Sequence, residues 1–344
     1  MLDCFSKITI IKIAILIHLF DIISIGSATR DVFVSAEGFK TVKTDDFNTE
    51  KALCFGLGSK LEIKKLVFAS GGGGTNAAVT FARQGLKTVC IGVVGDDFNG
   101  ADILRELAGE GVEVKYFQKH SDNHTAYSLI LVDESGERTI LSYKGEGQHF
   151  NVNQIPFEQL QTKWLFLNSL GGHYELLEKA VNWAVENNIK LTTNPGWREL
   201  AHGLDKLKPL LKHFSIVSMN REEAADLLGL SYEKEEEIFK AMDELIGGIF
   251  VMTKGPEGAI VSDGKNIYSA GVPDSPIIER TGAGDAFSSG FITEYIRSND
   301  ISRAVQFATA NASSVVAQFG SKAGILKKDD WGPWPLVKVE KTQL

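Results

Sequence analysis

Thr281-Gly282-Ala283-Gly284-Asp285-Ala286-Phe287 is the stretch from which the rest of the chain is best read. Two glycines flank an alanine, and a carboxylate follows at once. Beyond it, Ala286, Phe287, Gly290, Phe291, Ile292, Tyr295 and Ile296 recur at helical spacing, which predicts a glycine-rich turn opening a helix. The first N–H groups of a helix have no partner within it, and the helix dipole adds positive potential there. Such a turn suits an anion, above all the charge that builds up on a phosphoryl group in transfer. Asp285 would then stand where a carboxylate can take a proton from an attacking hydroxyl. A plain glycine turn with an aspartate in the first helical turn, where acidic residues are favoured anyway, explains the stretch equally well. The rest of the chain has to decide.

Outward from this turn, strands and helices alternate. Trp164 to Leu167, Ile189 to Thr193, Phe214 to Ser218 and Gly248 to Thr253 read as strands. Helices are predicted over Tyr174–Glu186, Glu222–Leu228, Glu235–Leu245, 283–297 and Ile301–Gln318. This rhythm implies a parallel sheet with helices on both faces. Toward the N-terminus, Asp21 to Gly26 reads as the first buried strand. Ser70-Gly71-Gly72-Gly73-Gly74-Thr75-Asn76 leads into a helix over Ala77 to Gln84, stopped by Gly85. Thr88 to Val94 reads as a strand, Gly95 to Gly100 as a turn, Ala101 to Ala108 as a helix and Val112 to Phe117 as a strand. Val32–Val42 and Ala52–Phe68 alternate apolar and polar residues, and Tyr127–Val132 and Thr139–Tyr143 flank the hairpin signal Asp133-Glu134-Ser135-Gly136. These ribbons fall outside the rhythm and predict a small second sheet. The expected fold class is α/β: a three-layer α/β/α architecture with a mostly parallel sheet and a small β-sheet lid.

Bulk properties narrow the function. The chain has 344 residues, 43% hydrophobic and 23% charged, as in ordinary globular proteins. A net charge of −8 without a long basic run argues against nucleic acid as a partner, though not against a nucleotide. The three cysteines, Cys4, Cys54 and Cys90, form no metal or disulfide pattern, which fits a reducing, cytoplasmic setting. Ile8 to Ile25 is apolar but broken by Lys12, His18 and Asp21. It can be read as a signal-like segment or a poor membrane span. The better reading gives Asp21–Gly26 to the sheet, because a cut near Ala28 or a span would remove that strand. Residues 1–18 are then a dispensable extension, 19–326 one domain with a lid from 32–42, 52–68 and 127–143, and 327–344 a packed tail, with no membrane attachment.

Three further stretches carry polar chemistry. In Gly71 to Asn76 the glycines let backbone approach a small polar ligand, Asn76 can donate to and accept from a hydroxyl, and Asp31 can accept from two vicinal hydroxyls. A dinucleotide loop is the weaker reading, since no acidic residue ends a second parallel strand. Asn220-Arg221-Glu222-Glu223 opens a helix and reads also as a capping pair. Thr253-Lys254-Gly255-Pro256-Glu257-Gly258 sits at a strand end and reads equally as a hairpin turn.

Taken in order, these motifs resemble the ribokinase-like (PfkB) family of sugar and nucleoside kinases, from about Phe20 to about Leu326. The resemblance implies an ATP-dependent kinase with an alcohol-group acceptor, a small sugar as substrate, and a nucleoside as the alternative. A catalytically silent sugar- or nucleotide-binding regulator is the reading outside enzymes. The implied catalytic residues are Asp285 as general base with the amides of Gly282, Ala283 and Gly284. Asp31, Gly72, Gly73, Asn76 and Asn168 inherit sugar binding. Asn220, Thr253, Gly255, Gly258 and Asn311 inherit nucleotide binding. Glu223 inherits Mg2+, through water because magnesium gives up its waters reluctantly. The resemblance also implies a homodimer through the lid. Neither a Walker-A GxxxxGK[ST] nor a protein-kinase DFG set is present.

The chain departs from the family pattern at three positions. Gly73 stands where lysine is usual, Asn168 where glutamate is usual, and Glu279 where an aspartate helps to hold a monovalent cation. The first two leave the identity of the sugar open, and Gly73 leaves room for a base. The third makes potassium at Glu279, with Gly320 and neighbouring carbonyls, the weakest of the implied ligands.

Overall fold

A computed structural model describes residues 19–47, 50–133 and 137–344. The extension proposed for 1–18 and the turn residues 134–136 of the hairpin signal lie outside the described residues. The N-terminal part runs β1 (Phe20–Ile25), β2 (Thr29–Ala36), β3 (Lys40–Lys43), β4 (Lys51–Cys54), β5 (Ile63–Gly71) and α1 (Gly73–Arg83). Then come β6 (Thr88–Ile91), β7 (Val93–Gly95), α2 (Phe98–Gly109), β8 (Gln118–His120), β9 (Tyr127–Val132) and β10 (Arg138–Tyr143). The middle holds β11 (Thr162–Leu167), α3 (Tyr174–Glu186), β12 (Lys190–Thr193), α4 (Trp197–Leu200), α5 (Leu204–Leu211), β13 (Phe214–Asn220), α6 (Arg221–Leu228) and α7 (Glu235–Leu245). The chain closes with β14 (Ile249–Thr253), β15 (Ala259–Ser262), β16 (Asn266–Ala270), α8 (Ala283–Ser298), α9 (Ile301–Val316) and β17 (Glu340–Gln343).

The main sheet has the order β17-β16-β15-β14-β13-β12-β11-β1-β6. From β6 to β14 neighbouring strands are parallel, and from β14 to β17 they are antiparallel. Successive residues of β1 face opposite layers. Ile23 and Ile25 pack with α3, α5, α6 and α7, whereas Ile22 packs with α1, α8 and α9. All three are fully buried, which is why the strand reads as an unbroken apolar run rather than an alternating one. The architecture is therefore three layers, α/β/α, around a mostly parallel sheet. A separate sheet in the order β10-β9-β2-β5 forms the lid, and β3 pairs with β4 beside it. Gly26-Ser27-Ala28 alone links β1 in the core to β2 in the lid.

Several boundaries differ from the sequence reading. Helix α1 starts within the glycine run rather than at Ala77, because Gly72, at φ 95°, is its N-cap and the Asn76 N–H closes the first turn on the Gly72 carbonyl. The strand expected over Thr88–Val94 breaks at Gly92, where a side chain would meet the Phe117 ring, and β7 leaves the main sheet to pair with β8. The strand expected over Val112–Phe117 is a turn with a single bridge, Val89 to Glu113. The C-terminal segment set apart as a tail supplies β17, the edge strand of the main sheet, and Trp331 stacks edge-on against Phe307 at 5.1 Å. Among the described residues no helix is long and apolar enough to cross a membrane.

Candidate active site

Two helix N-termini meet at the carboxyl ends of the parallel strands, which is where open α/β sheets hold ligands. The first belongs to α1. The Gly73 N–H donates to Ser27 Oγ at 3.1 Å, and Ser24 Oγ donates to the Gly74 carbonyl at 2.8 Å, so the glycine run lies flat on the β1–β2 link. Asp31 sits in β2, buried at 4% exposure, and accepts from Thr29 Oγ1 at 2.9 Å. A side chain on Gly71 would collide with the Asp31 carboxylate, and one on Gly73 would collide with the Asn168 amide. The room left by Gly73 is thus already filled. Burial pushes the Asp31 carboxyl above the ordinary aspartate range, against the pull of the Thr29 hydroxyl and the Lys322 charge.

The second N-terminus belongs to α8. Gly282 caps it in the left-handed conformation at φ 82°, and Asp285 lies in the first turn. Among the first-turn amides, Ala283 makes a long 3.4 Å bond to the Arg280 carbonyl. A Cβ on Gly284 would meet nothing within 4 Å, so the turn opens onto free space. Asp285 Oδ2 accepts from Asn76 Nδ2 at 2.8 Å, which joins the two helix ends across 209 residues of sequence. Burial raises the Asp285 carboxyl above its usual range, and the Asn76 bond, Lys322 and Asn168 oppose it.

Beside them, Asn220 and Thr253 are register partners on β13 and β14. Asn220 and Glu223 form a reciprocal capping box: Asn220 Oδ1 accepts from the Glu223 N–H and Glu223 Oε2 from the Asn220 N–H, both at 2.8 Å. Burial pushes the Glu223 carboxyl up to about 7, with the negative charges of Asp285 and Glu222 adding to it. Arg221 and Lys254 both pair with Glu235, Lys254 at 3.0 Å. Gly255 faces open space, but a side chain on Gly258 would strike the Ala270 carbonyl, so that glycine serves the hairpin.

Two expectations need correction or restatement. Asn311, expected on the nucleotide side, engages both polar groups of its amide with the protein itself. It is wholly buried between α8 and α9, its Nδ2 donating to the Ala286 carbonyl at 2.8 Å and its Oδ1 accepting from the Leu326 N–H at 2.9 Å. Glu279 is fully buried, accepts from the Thr281 N–H, and has the Arg138 guanidinium of the lid 3.5 Å away. Burial raises its carboxyl, and its Oε2 has no hydrogen-bond partner.

The sequence reading missed Lys322, Ser321 and Arg138. Lys322 donates to the Ser70 carbonyl at 2.6 Å, Ser70 Oγ at 3.0 Å and Thr75 Oγ1 at 2.8 Å, and burial lowers its ammonium to about 8. Nothing in the local sequence marks these residues, because each is brought in by tertiary contact. A concavity of about 920 Å³ opens at the other end of the sheet, among Trp164, Lys190, Phe214 and Ile249, and holds none of the residues above.

Comparison with known proteins identifies the family. A family-wide profile described as pfkB family carbohydrate kinase matches residues 22–328. The chain is 29% identical to a ribokinase of Haemophilus influenzae over 276 residues, covering 78% of this chain and 88% of that protein. It is 22% identical to a nucleoside kinase of Methanothermobacter thermautotrophicus, covering 89% and 92% of the two chains. Its fold matches Arabidopsis thaliana ribokinase solved with ribose and ATP, at a TM-score of 0.70, 18% identity and coverage of 90% and 96%. With the match spanning most of the chain, the protein belongs to the pfkB family of carbohydrate kinases and is an ATP-dependent sugar or nucleoside kinase.

Proposed function

We propose that this chain moves the γ-phosphate of ATP to a hydroxyl of a small sugar, with Asp285 as general base and the amides of Gly282, Ala283 and Gly284 as anion hole. The observation that carries the proposal is the Asn76–Asp285 bond, which ties a polar pocket to a carboxylate at an open helix N-terminus. Asp31, Gly72, Gly73, Asn76 and Asn168 line the sugar side. Asn220, Thr253 and Gly255 line the nucleotide side. Asp285 takes the proton of the sugar hydroxyl, that oxygen bonds to the γ-phosphorus, and ADP leaves with the electrons of the broken P–O bond. A carboxyl raised by burial is the stronger base once ionised. Charge building on the phosphoryl oxygens falls on the first-turn amides of α8, where one lost donor typically costs ~2.7–4 kcal/mol. The lid sheet closes over the pocket and keeps water from the phosphoryl group.

The donor set fits Mg2+. Burial raises the carboxyls of Glu223, Asp285 and Asp31, with the Asp31 charge adding to it at Asp285 and the Asp285 charge at Glu223, a neighbourhood that suits a cation. Glu223 would hold the ion through water, and the ion would neutralise the triphosphate. Among the described residues no group of three or more His, Cys, Asp or Glu is placed to hold a metal ion. A monovalent cation fits less well, because the Arg138 guanidinium already brings a positive charge to Glu279. Potassium therefore has no part in this reading.

The sugar reading precedes the nucleoside one because Asn168 fills the space that Gly73 would otherwise offer to a base. The lid also exposes Leu66, Phe68, Ile140, Leu141 and Tyr143, an apolar set that supports a homodimer through the lid; light scattering of the purified protein tests it. The substrate test is ADP release with ribose, fructose, 2-keto-3-deoxygluconate and adenosine. Turnover with one of the sugars is expected. Turnover with adenosine alone would hand the site to the nucleoside reading.

A further inference from the structure

Asn76 has one amide and two duties. Its N–H side must face the Asp285 carboxylate, and its carbonyl must then find a donor. That donor is Ser321, from the loop after α9, whose Oγ donates to Asn76 Oδ1 at 2.9 Å. Ser321 is 1% exposed, so no water competes for the carbonyl. The loop is also fixed. The next residue, Lys322, is bonded to Ser70 at the end of β5 and to Thr75 in α1, and Thr75 Oγ1 in turn donates to the Gly71 carbonyl at 2.7 Å. Ser321 packs flat on the cap of the other helix as well: a Cβ on Gly282 would come within 2.5 Å of the Ser321 Cβ. One small side chain thus touches the amide that holds the base and the glycine that starts the anion hole.

We propose that Ser321 is a positioning residue of the phosphotransfer: by donating to Asn76 Oδ1 it keeps the Asn76 amide turned so that its N–H, not its carbonyl, faces Asp285. Rotated by half a turn, the amide would set its carbonyl oxygen against the carboxylate. The base would then lose its hydrogen bond and gain a repulsion. The chain Ser321–Asn76–Asp285 runs across three elements, 245 residues apart at the Ser321–Asn76 step, and belongs to no local motif. The inference rests on the kinase reading with Asp285 as base.

The test is a double-mutant cycle in the full-length enzyme with the sugar that the substrate panel selects. Ser321→Ala should lower kcat by roughly three- to tenfold, the loss of one buried hydrogen bond, and leave KM for ATP unchanged. Ser321→Cys keeps the volume but only a weak donor, so kcat should fall between the two even if the alanine variant folds poorly. In an Asn76→Ala background, Ser321→Ala should have no further effect, because the residue acts through that amide. Wild-type kcat in both Ser321 variants overturns the inference, and so does a Ser321→Ala loss of equal size with or without Asn76. A wild-type enzyme whose turnover survives Asp285→Asn instead sinks the general-base reading, and the relay with it.

Discussion

The two glycine-rich turns of this molecule look alike in sequence and differ in how far protein fills the space around them. Gly71 to Gly74 lies pressed against other atoms: side chains there would strike Asp31, the Ser27 carbonyl, Asn168 or the Gly26 backbone. Gly284, at the head of α8, faces nothing within 4 Å. The first turn consists of glycine because polar groups and backbone approach it closely. The second divides: Gly282 is glycine because Ser321 packs on it and its φ is 82°, whereas Gly284 leaves open space. Both open helices, and the Asn76–Asp285 bond joins the two helix ends. The lesson is that a glycine run before a helix marks a close approach without saying by what; the packing around it decides whether protein or ligand fills the space.

The sharpest way to break this comparison is to remove the group on which both turns converge. Asp285→Asn keeps the size and a partner for Asn76 but cannot take a proton. Turnover should fall about 10²- to 10⁴-fold, the usual worth of general base catalysis, with ATP binding by calorimetry and thermal stability intact. Substantial residual kcat would mean that α8 only holds phosphate and that the base lies elsewhere.

The same substitution at the two turns should then fail in different ways. Gly73→Ala forces Asn168 aside, so it should destabilise the fold by about 1–3 kcal/mol and raise KM for the sugar, read by denaturant titration and initial rates. Gly284→Ala meets no neighbour and removes backbone freedom from a helix, so stability should hold or rise by about 0.4–1 kcal/mol. Its methyl group projects into the open space proposed for phosphate, so kcat should drop while the fold does not. Equal effects at the two sites would erase the distinction.

The sequence carried this comparison only in part. The helices Tyr174–Glu186 and Glu235–Leu245 were legible to the residue, because apolar spacing and flanking turns are local properties. Asn220 and Glu223 were legible as a pair for the same reason, and the capping box forms as the spacing implies. The burial of Asn311 was not legible because an asparagine on a helix gives no sign of which way it faces; here two helices close over it, beside Gly290, whose missing side chain lets them approach. Ser321, Lys322 and Arg138 were illegible because their meaning lies wholly in residues hundreds of positions away or on another sheet. The close fit of Asn168 over Gly73 is of the same kind: two departures from the family pattern, noticed separately, are one packing event.

Glu223 offers a smaller and more physical test of how the open turn is charged. Its carboxyl is pushed up to about 7 from 4.5, so the folded protein holds that proton more tightly than the unfolded chain does. The sign follows from that. Below pH 4.5 both states are protonated and the site has no cost; between 4.5 and about 7 stability falls as pH rises; above about 7 the whole cost is present. Glu223→Gln, which can still accept from the Asn220 N–H, should raise Tm above pH 7 and leave it unchanged near pH 4. Mg2+ should raise the Tm of the wild type at pH 8 and do little for the variant. A Tm difference that is the same at both pH values would mean that the Glu223 side chain matters for packing rather than charge.

The least expected effect is on the lid side, where the open turn is approached from above. Glu137 and Arg138 at the start of β10 face Arg280 and Glu279 just before the turn, at 3.9 and 3.5 Å, in a crossed pair of opposite charges. The guanidinium brings a positive charge to Glu279 from the lid strand without a hydrogen bond, and Glu279 Oε2 keeps no partner. Exchanging potassium for choline at constant ionic strength should therefore leave wild-type kcat/KM unaltered. Arg138→Gln should lower it by about fivefold, the upper end of what a partly exposed ion pair contributes, and make the remainder responsive to potassium. If the wild type itself needs potassium, the lid arginine is a bystander, and the turn at Gly284 is open on that side to an ion as well as to phosphate.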